Sequence, residues 1–491
     1  MQINVETLHE DERIDTLEAA TAAGARVALV TSIDGTQLVT LLLSPSTKTI
    51  SCFCTPLRNT TYASLTPSLP VAHWFERTTW DMFGLVPKGH PRLKRTHLHE
   101  PFTGMSAPLS SSSAAGDSHE YHFLDVEGGG IYELPVGPIH AGIIEPGHFR
   151  FSCSGEIILN LEIRLGYVHR GVEKRLAELP WPNGRFVAEA TASDMPVANA
   201  LAHSTAIESL FDRQPSLYAQ LLRTLALEVE RVAMHISDLG GLAGDIGFLA
   251  VSSSMSRLRG LALRMGELLS GSRLMRTFVC PGGVSRAIKK GSLQQVAFLA
   301  KQLEAEFADV SDFLMGNQVV AERMDGVGKI PHRLAVDFGL VGISARSCGI
   351  DYDCRSIWSH GTFPRKDLNV VTEVHGDVLS RTKVRIREVE ESLTLIHWLI
   401  DDSTRQAGPH CITLPDQLPS DRASIGIVES HRGELIHTIF TDKNGSIKRY
   451  SIKDPSVNNW TGLAIAVRNN LVADFPLCNK SFSLSYGGHD V

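Results

Sequence analysis

Eight cysteines (Cys52, Cys54, Cys153, Cys280, Cys348, Cys354, Cys411 and Cys478) are the side chains best suited to hold a metal or carry electrons, and none lies in a C-x-x-C pair. Zinc ribbons, four-cysteine iron–sulfur sites and thioredoxin-like redox pairs need that clustering, so the spacing excludes them. Cys52 and Cys54 stand two apart on a strand-like stretch and take the same face; they read as core thiols. No glycine-rich fingerprint follows a strand, so no dinucleotide or flavin site is expected. His235 sits four residues after Arg231 on one helix face and reads as structural. Tyr218 lies on an apolar stripe and reads as a core aromatic. Glu173 and Lys174 read as a helix ion pair, and His90 as shaping a turn that docks two domains. Asp245, in Ala243-Gly244-Asp245-Ile246, reads as a helix-start cap. His140 and His148 bracket a Gly/Pro loop and read as bonded to backbone.

The elements that must position these residues follow from periodicity. Residues 1–101 form a small α/β unit, with strands in RVALVTSIDGTQLVTLLLS around the turn Ile33-Asp34-Gly35-Thr36. Residues 102–120, rich in Ser, Ala and Gly, have little to bury and read as a flexible linker that tolerates a cut. Residues 121–491 form the second domain. It opens on a small antiparallel sheet up to about 164, where apolar and polar residues alternate between Gly/Pro turns. From about 167 to 325 the period is helical, with Leu221, Leu222, Leu225, Val229, Val232 and Ile236 on one stripe. Further helices are expected over 253–272, 292–323 and 374–400. Residues 424–453 return to strands with a hairpin at Lys443-Asn444-Gly445. The chain closes with a helix and an extended tail. The fold class is α+β.

Composition bounds the function. The chain has 491 residues, a soft prior of about three domains. Apolar residues at 43% and charged residues at 21% describe a globular chain rather than a disordered one. A net charge of −7 gives no drive toward nucleic acid. Apolar runs fall short of the roughly 18–20 residues of a membrane helix, and the acidic start MQINVETLHEDERID is no signal peptide. The expected setting is reducing and cytoplasmic, with any membrane attachment made through partners.

Three stretches of the first domain, Trp74-Phe75-Glu76-Arg77, Asp81-Met82-Phe83-Gly84-Leu85 and Gly89-His90-Pro91-Arg92-Leu93-Lys94-Arg95, resemble the 30 kDa subunit of respiratory complex I. The rest resembles its 49 kDa subunit and the large subunit of formate-hydrogenlyase-type NiFe hydrogenases. It does so through Gly137-Pro138-Ile139-His140, Glu145-Pro146-Gly147-His148-Phe149-Arg150, Gly166–Lys174, Glu228–His235, Asp238-Leu239-Gly240, Arg346–Arg355, Gly376-Asp377-Val378 with Arg381 and Arg385, Arg432-Gly433-Glu434 and Asp454-Pro455-Ser456. No single stretch is specific; the ordered series is. The fusion resembles the large subunits of hydrogenase-3 and hydrogenase-4.

The resemblance departs at the metal. A NiFe centre needs four thiolates, which the family supplies in two segments. Here the early segment, 190–195, has no cysteine, and the late one, taken as 474–481, has only Cys478. The resemblance therefore implies an electron-transfer subunit of a membrane-bound, ion-translocating oxidoreductase without a NiFe centre. This chain would hold no cofactor and no metal ligands, while an adjacent small subunit would carry a 4Fe–4S cluster. Implied partners are that iron–sulfur subunit, a ferredoxin-like subunit and antiporter-like membrane subunits, on the inner face of the cell membrane. NAD and quinone enter at the level of the family. Asp245 matches a pocket aspartate that pairs with a quinone-binding histidine, whose counterpart is His140, His148 or neither. An aspartate beside a histidine holds its tautomer and favours its charged form. Ser193 stands where complex I has a tyrosine, and a serine is a much poorer acid. Arg170 and Arg276 match arginines beside the small subunit's cluster. The alternatives are a non-catalytic assembly or coupling subunit, and a true NiFe hydrogenase large subunit, against which the ligand count stands.

Overall fold

The computed structural model describes residues 1–99, 107–110, 121–140, 144–358 and 368–491. Most of the expected linker lies outside the described residues. Within it, Leu109 packs on the first unit, its N–H donating to the Met82 carbonyl at 3.0 Å.

The mixed α+β architecture is as expected. The first unit carries a four-stranded sheet in the order Val5–Thr7, Thr49–Pro56, Gln37–Ser44, Arg26–Ser32. Its one parallel pair is Val5–Thr7 with Thr49–Pro56. The turn between the two long strands is the one legible in the sequence: Gly35 has φ +88°, and the Asp34 carboxylate accepts the Thr36 N–H at 3.1 Å. Strands Arg26–Ser32 and Gln37–Ser44 are buried almost without alternation, since both faces are covered. Their core continues into the second domain: Val27, Leu29, Val39 and Leu41 share one apolar cluster with Ile425, Ile427 and Ile436.

Two buried carboxylates on helix His73–Phe83 organise this unit. Glu76 accepts the N–H groups of Leu65 and Thr66. Asp81 accepts those of Thr96, His97 and Leu98, fixing the chain that leads into the second domain. Anionic acceptors on converging N–H groups make strong, charge-assisted bonds.

The second domain opens on the expected antiparallel sheet, Ile131–Val136, His148–Ser154 and Ile157–Arg164. Its centre is a group of long helices, Leu217–Asp245, Leu249–Ser270, Ser292–Met315 and Val378–Arg405. Ser216 and Asp377 cap two of them, accepting the N–H groups of Ala219 and Ser380. The glycines near residue 240 do not break the first helix. They let it approach its neighbour: a Cβ on Gly240 would stand 3.1 Å from that of Met255. Asp245 is consequently the last residue of a helix and not the first cap of one. The sheet Ala423–Ser430, Gly433–Thr441 and Ile447–Lys453, whose first two strands are fully buried, lies against helix Pro196–Leu210. At Gly426 a Cβ would come within 2.0 Å of the Ala202 carbonyl oxygen, so only glycine fits.

Two further expectations are corrected. The tail is not extended: it forms helices Phe475–Phe482 and Tyr486–His489, packed on Trp460 and Phe149. Such short helices carry no readable period and are held by packing. Glu173 pairs with Arg449 at 2.6 Å rather than with Lys174, because the helix that carries it lies against strand Ile447–Lys453.

Candidate functional site

Segment 189–195 joins helices Trp181–Ala188 and Pro196–Leu210, and it gathers residues from across the chain. On its outer side Arg170 donates to the Thr191 carbonyl at 2.9 Å, and Arg276 reaches the Ser193 carbonyl at 3.5 Å. Both guanidinium groups keep solvent contact, so two positive charges distant in sequence stand over one loop. Ser193 is exposed between them.

On the inner side Asp194 is held by Arg432 through two bonds, 2.8 and 2.6 Å, a fork-to-carboxylate geometry that fixes orientation. Arg432 also donates from Nε to the Ser483 carbonyl. The Ser483 hydroxyl in turn donates to Asp238 at 2.9 Å, and Asp238 pairs with Arg385 at 3.2 Å. Burial pushes the Asp194 carboxyl up, but Arg432 outweighs it and holds the group well below the usual range. Asp454 lies beside this chain with Oδ2 unpartnered, and burial raises its affinity for protons. His431 is fully enclosed with neither ring nitrogen bonded, 6.1 Å between ring centres from His235. His235 itself bonds Glu388 at 3.0 Å in the core, a structural placement.

Two acids with proton affinities near neutrality flank the segment. Burial pushes Glu189 up to about 7, against the Thr277 N–H that it accepts. Burial pushes Glu230 up to about 8, although it accepts the N–H groups of Val197 and Ala198 at the start of the next helix. Groups poised near the working pH are those able to take and release protons.

The other sequence-predicted residues lie elsewhere. His140 Nε2 bonds the Gly147 carbonyl at 2.8 Å, and His148 Nδ1 the Gly137 carbonyl at 3.3 Å. Both are tied to their own loop, whose Glu145 accepts the Gly487 N–H of the tail; residues 141–143 lie outside the described residues. Asp245 pairs with Lys480 on helix Phe475–Phe482. Among the described residues, no hydrogen bond joins it to either loop histidine.

Just past 474–481 the Ser483 backbone carbonyl accepts from Arg432, and Gly487 lies against the early segment, where a Cβ would stand 3.2 Å from the Thr191 carbonyl oxygen. Cys478 is buried beside Arg381, and burial pushes its thiol up to about 11. The donors that converge here are carboxylates, hydroxyls and guanidinium groups, which do not suit a nickel–iron pair. In the sequence Arg432, Asp238, Arg385, Asp454 and Glu230 stand out only as parts of motifs, and Glu189 does not stand out at all. Pairings such as Asp194 with Arg432, across more than 200 residues, leave no local signal.

Residues 245–425 match the family described as respiratory-chain NADH dehydrogenase, 49 Kd subunit, and residues 4–118 the corresponding 30 Kd subunit. The chain is 32% identical over 440 residues to formate hydrogenlyase subunit 5 of Escherichia coli (strain K12), covering 87% of this chain and 77% of that one. It is 29% identical over 439 residues to hydrogenase-4 component G of the same organism, covering 87% and 76%. It is 24% identical over 460 residues to the C/D subunit of NADH-quinone oxidoreductase from Nitrosospira multiformis, covering 84% and 75%. A chain in the structure of the membrane-bound sulfane sulfur reductase, an archaeal respiratory membrane complex, superposes with a TM-score of 0.69 at 25% identity, covering 74% of this chain and 98% of that one. The order of its motifs, its two joined domains and these relatives together show that the chain belongs to the family of fused 30 kDa- and 49 kDa-type subunits of complex I and its hydrogenase relatives.

Proposed function

We propose that this chain is the electron- and proton-handling subunit of a membrane-bound, complex I-like oxidoreductase that works without a NiFe centre. The observation that carries this reading is the Asp194–Arg432–Ser483 contact. The early segment and the chain just past 474–481 meet, as a shared site requires, through the Asp194 carboxylate, the Arg432 guanidinium and the Ser483 backbone carbonyl, with no thiolate among them. Four thiolates are needed for the binuclear metal, and the early segment holds none.

In this reading Arg170 and Arg276 face a 4Fe–4S cluster held by an adjacent small subunit. Cationic groups and N–H donors beside such a cluster raise its potential and favour electron arrival. Glu189 and Glu230 supply or accept protons behind the same loop, and Arg432 keeps Asp194 ionised as a fixed negative charge. Asp245 acts through Lys480 to hold the tail, and the His140–His148 loop borders the tail through Glu145. The acceptor is a quinone or another small oxidant reached over this loop. Among the described residues no helix is long and apolar enough to cross a membrane, so attachment runs through antiporter-like membrane subunits, with a ferredoxin-like subunit delivering electrons. The inner face of the membrane is the side where both meet.

The test is the intact complex isolated from membranes with this chain in it. Nickel and iron are quantified after this subunit is resolved from the others, and donor-to-acceptor turnover is measured for Arg276→Ala and Glu189→Gln. Turnover without nickel, with a lowered cluster potential in Arg276→Ala and a shifted pH profile in Glu189→Gln, supports the reading. Stoichiometric nickel on this chain overturns it. Unchanged turnover, potential and pH profile in both variants leave the fold as an assembly subunit.

A further inference from the structure

Where the first unit meets the tail, His97 converges with His489 and Asp490, one ligand atom of each lying within 4.8 Å of the others and all three side chains buried. The His489–Asp490 distance is 2.9 Å and the His97–Asp490 distance 3.9 Å. His97 Nδ1 has no hydrogen-bond partner, although its side chain is only 3% exposed. Asp490 is 0% exposed, and among the described residues no lysine or arginine pairs with it. A buried carboxylate without a strong cation is costly, and so is a buried ring nitrogen without a partner.

The surroundings orient these donors. The Asp81 carboxylate accepts the backbone N–H of His97 at 2.7 Å, and His97 Nε2 lies 3.2 Å from the Thr78 hydroxyl. Asp490 Oδ2 accepts the N–H groups of Gly166 and Val168 at 2.8 and 3.2 Å, which leaves Oδ1 turned to the histidines. A metal-bound histidine and carboxylate ordinarily have their second atoms engaged in this way. A fourth side chain, the imidazole of His169, stands with its ring 5.3 Å from that of His97, and its Nδ1 too is buried without a partner.

We propose that His97, His489 and Asp490 bind one zinc ion, with His169 in the fourth position, and that the ion clamps the first unit to the tail of the second domain. Two or three imidazoles and one carboxylate suit a borderline divalent cation in tetrahedral geometry. The ion supplies the positive charge that Asp490 lacks, takes up the free Nδ1 atoms of His97 and His169, and replaces the hydrogen bond between His489 Nδ1 and Asp490 Oδ1. The role is structural, separate from the electron-handling loop. The cysteine spacing could not show it, because no two of its imidazole ligands are neighbours in sequence.

The full-length chain, stripped with a chelator, is titrated with zinc alone and, in parallel, with cobalt as a spectroscopic probe. The expected result is one equivalent of zinc, a four-coordinate visible cobalt spectrum, and a rise in melting temperature on binding. His97→Asn and Asp490→Asn should weaken binding by ~100-fold or more, since even outer-shell changes cost ~10–100-fold. The exposed His9→Asn should bind as the unchanged chain does. Equal uptake by the ligand variants, or no four-coordinate cobalt spectrum in the folded unchanged chain, overturns the proposal. If one variant fails to fold, the other variant and that spectrum decide.

Discussion

Arg432 and Asp194 show how a residue pair can define a site that no short motif announces. Arg432 lies in a motif read from the sequence, yet its partner lies 238 residues away, in a segment notable in sequence for lacking cysteine and for Ser193. The same distance problem hid Arg449 as the partner of Glu173, whereas His235 was legible as structural from its place one turn after Arg231 on the same helix face. Glu189 offers a test by pH. Its folded-state affinity, near 7, exceeds the ordinary value of 4.5, so the folded chain binds the extra proton. The stability this contributes is present below about 4.5 and is lost as the pH rises toward 7. The melting temperature of the unchanged chain, relative to that of Glu189→Gln, should therefore fall between those values and level off above. A flat difference would show that Glu189 titrates normally. For Asp245, paired at the half-exposed edge with Lys480, Asp245→Asn should cost under ~1 kcal/mol in denaturant unfolding. Any large fall in turnover of the complex would then report function rather than folding.

Elements were legible where burial is one-sided or the turn chemistry is strong. The hairpin strands around Gly35 and the sheet 131–164 follow this rule. Elements that depend on tertiary contact were not. The glycines of helix Leu217–Asp245 resemble a break until its neighbour is seen pressed against them, and the short tail helices exist only because Trp460 and Phe149 pack on them. Two substitutions follow at this scale. Gly426→Ala drives a methyl group toward the Ala202 carbonyl and should cost about 1–3 kcal/mol, measured by chemical denaturation. Glu388 joins helix Val378–Arg405 to Arg346 at 2.7 Å and to His235, all fully buried. Glu388→Ala leaves that guanidinium without this carboxylate and should cost about 3–5 kcal/mol in the same measurement.

At the scale of the whole molecule the two sequence domains share one apolar cluster, and Trp74 of the first donates to Thr461 of the second at 2.8 Å. Residues 1–99 produced alone should consequently aggregate, and co-production with the second domain should rescue them. The family placement was readable from ordered motifs, and several motif residues join the two halves: Trp74 to Thr461, Lys94 to Glu162 at 2.7 Å, and Glu434 to Arg26 at 3.1 Å. What the motifs could not show was which late residue reaches the early segment. The fold shows the Ser483 backbone carbonyl reaching Arg432, the partner of Asp194, and Gly487 lying against Thr191. The most direct test of this account is nickel content set against turnover in the intact complex. The account predicts electron transfer from donor to acceptor with no stoichiometric nickel on this chain. One nickel per chain, lost together with activity on chelation, would contradict it.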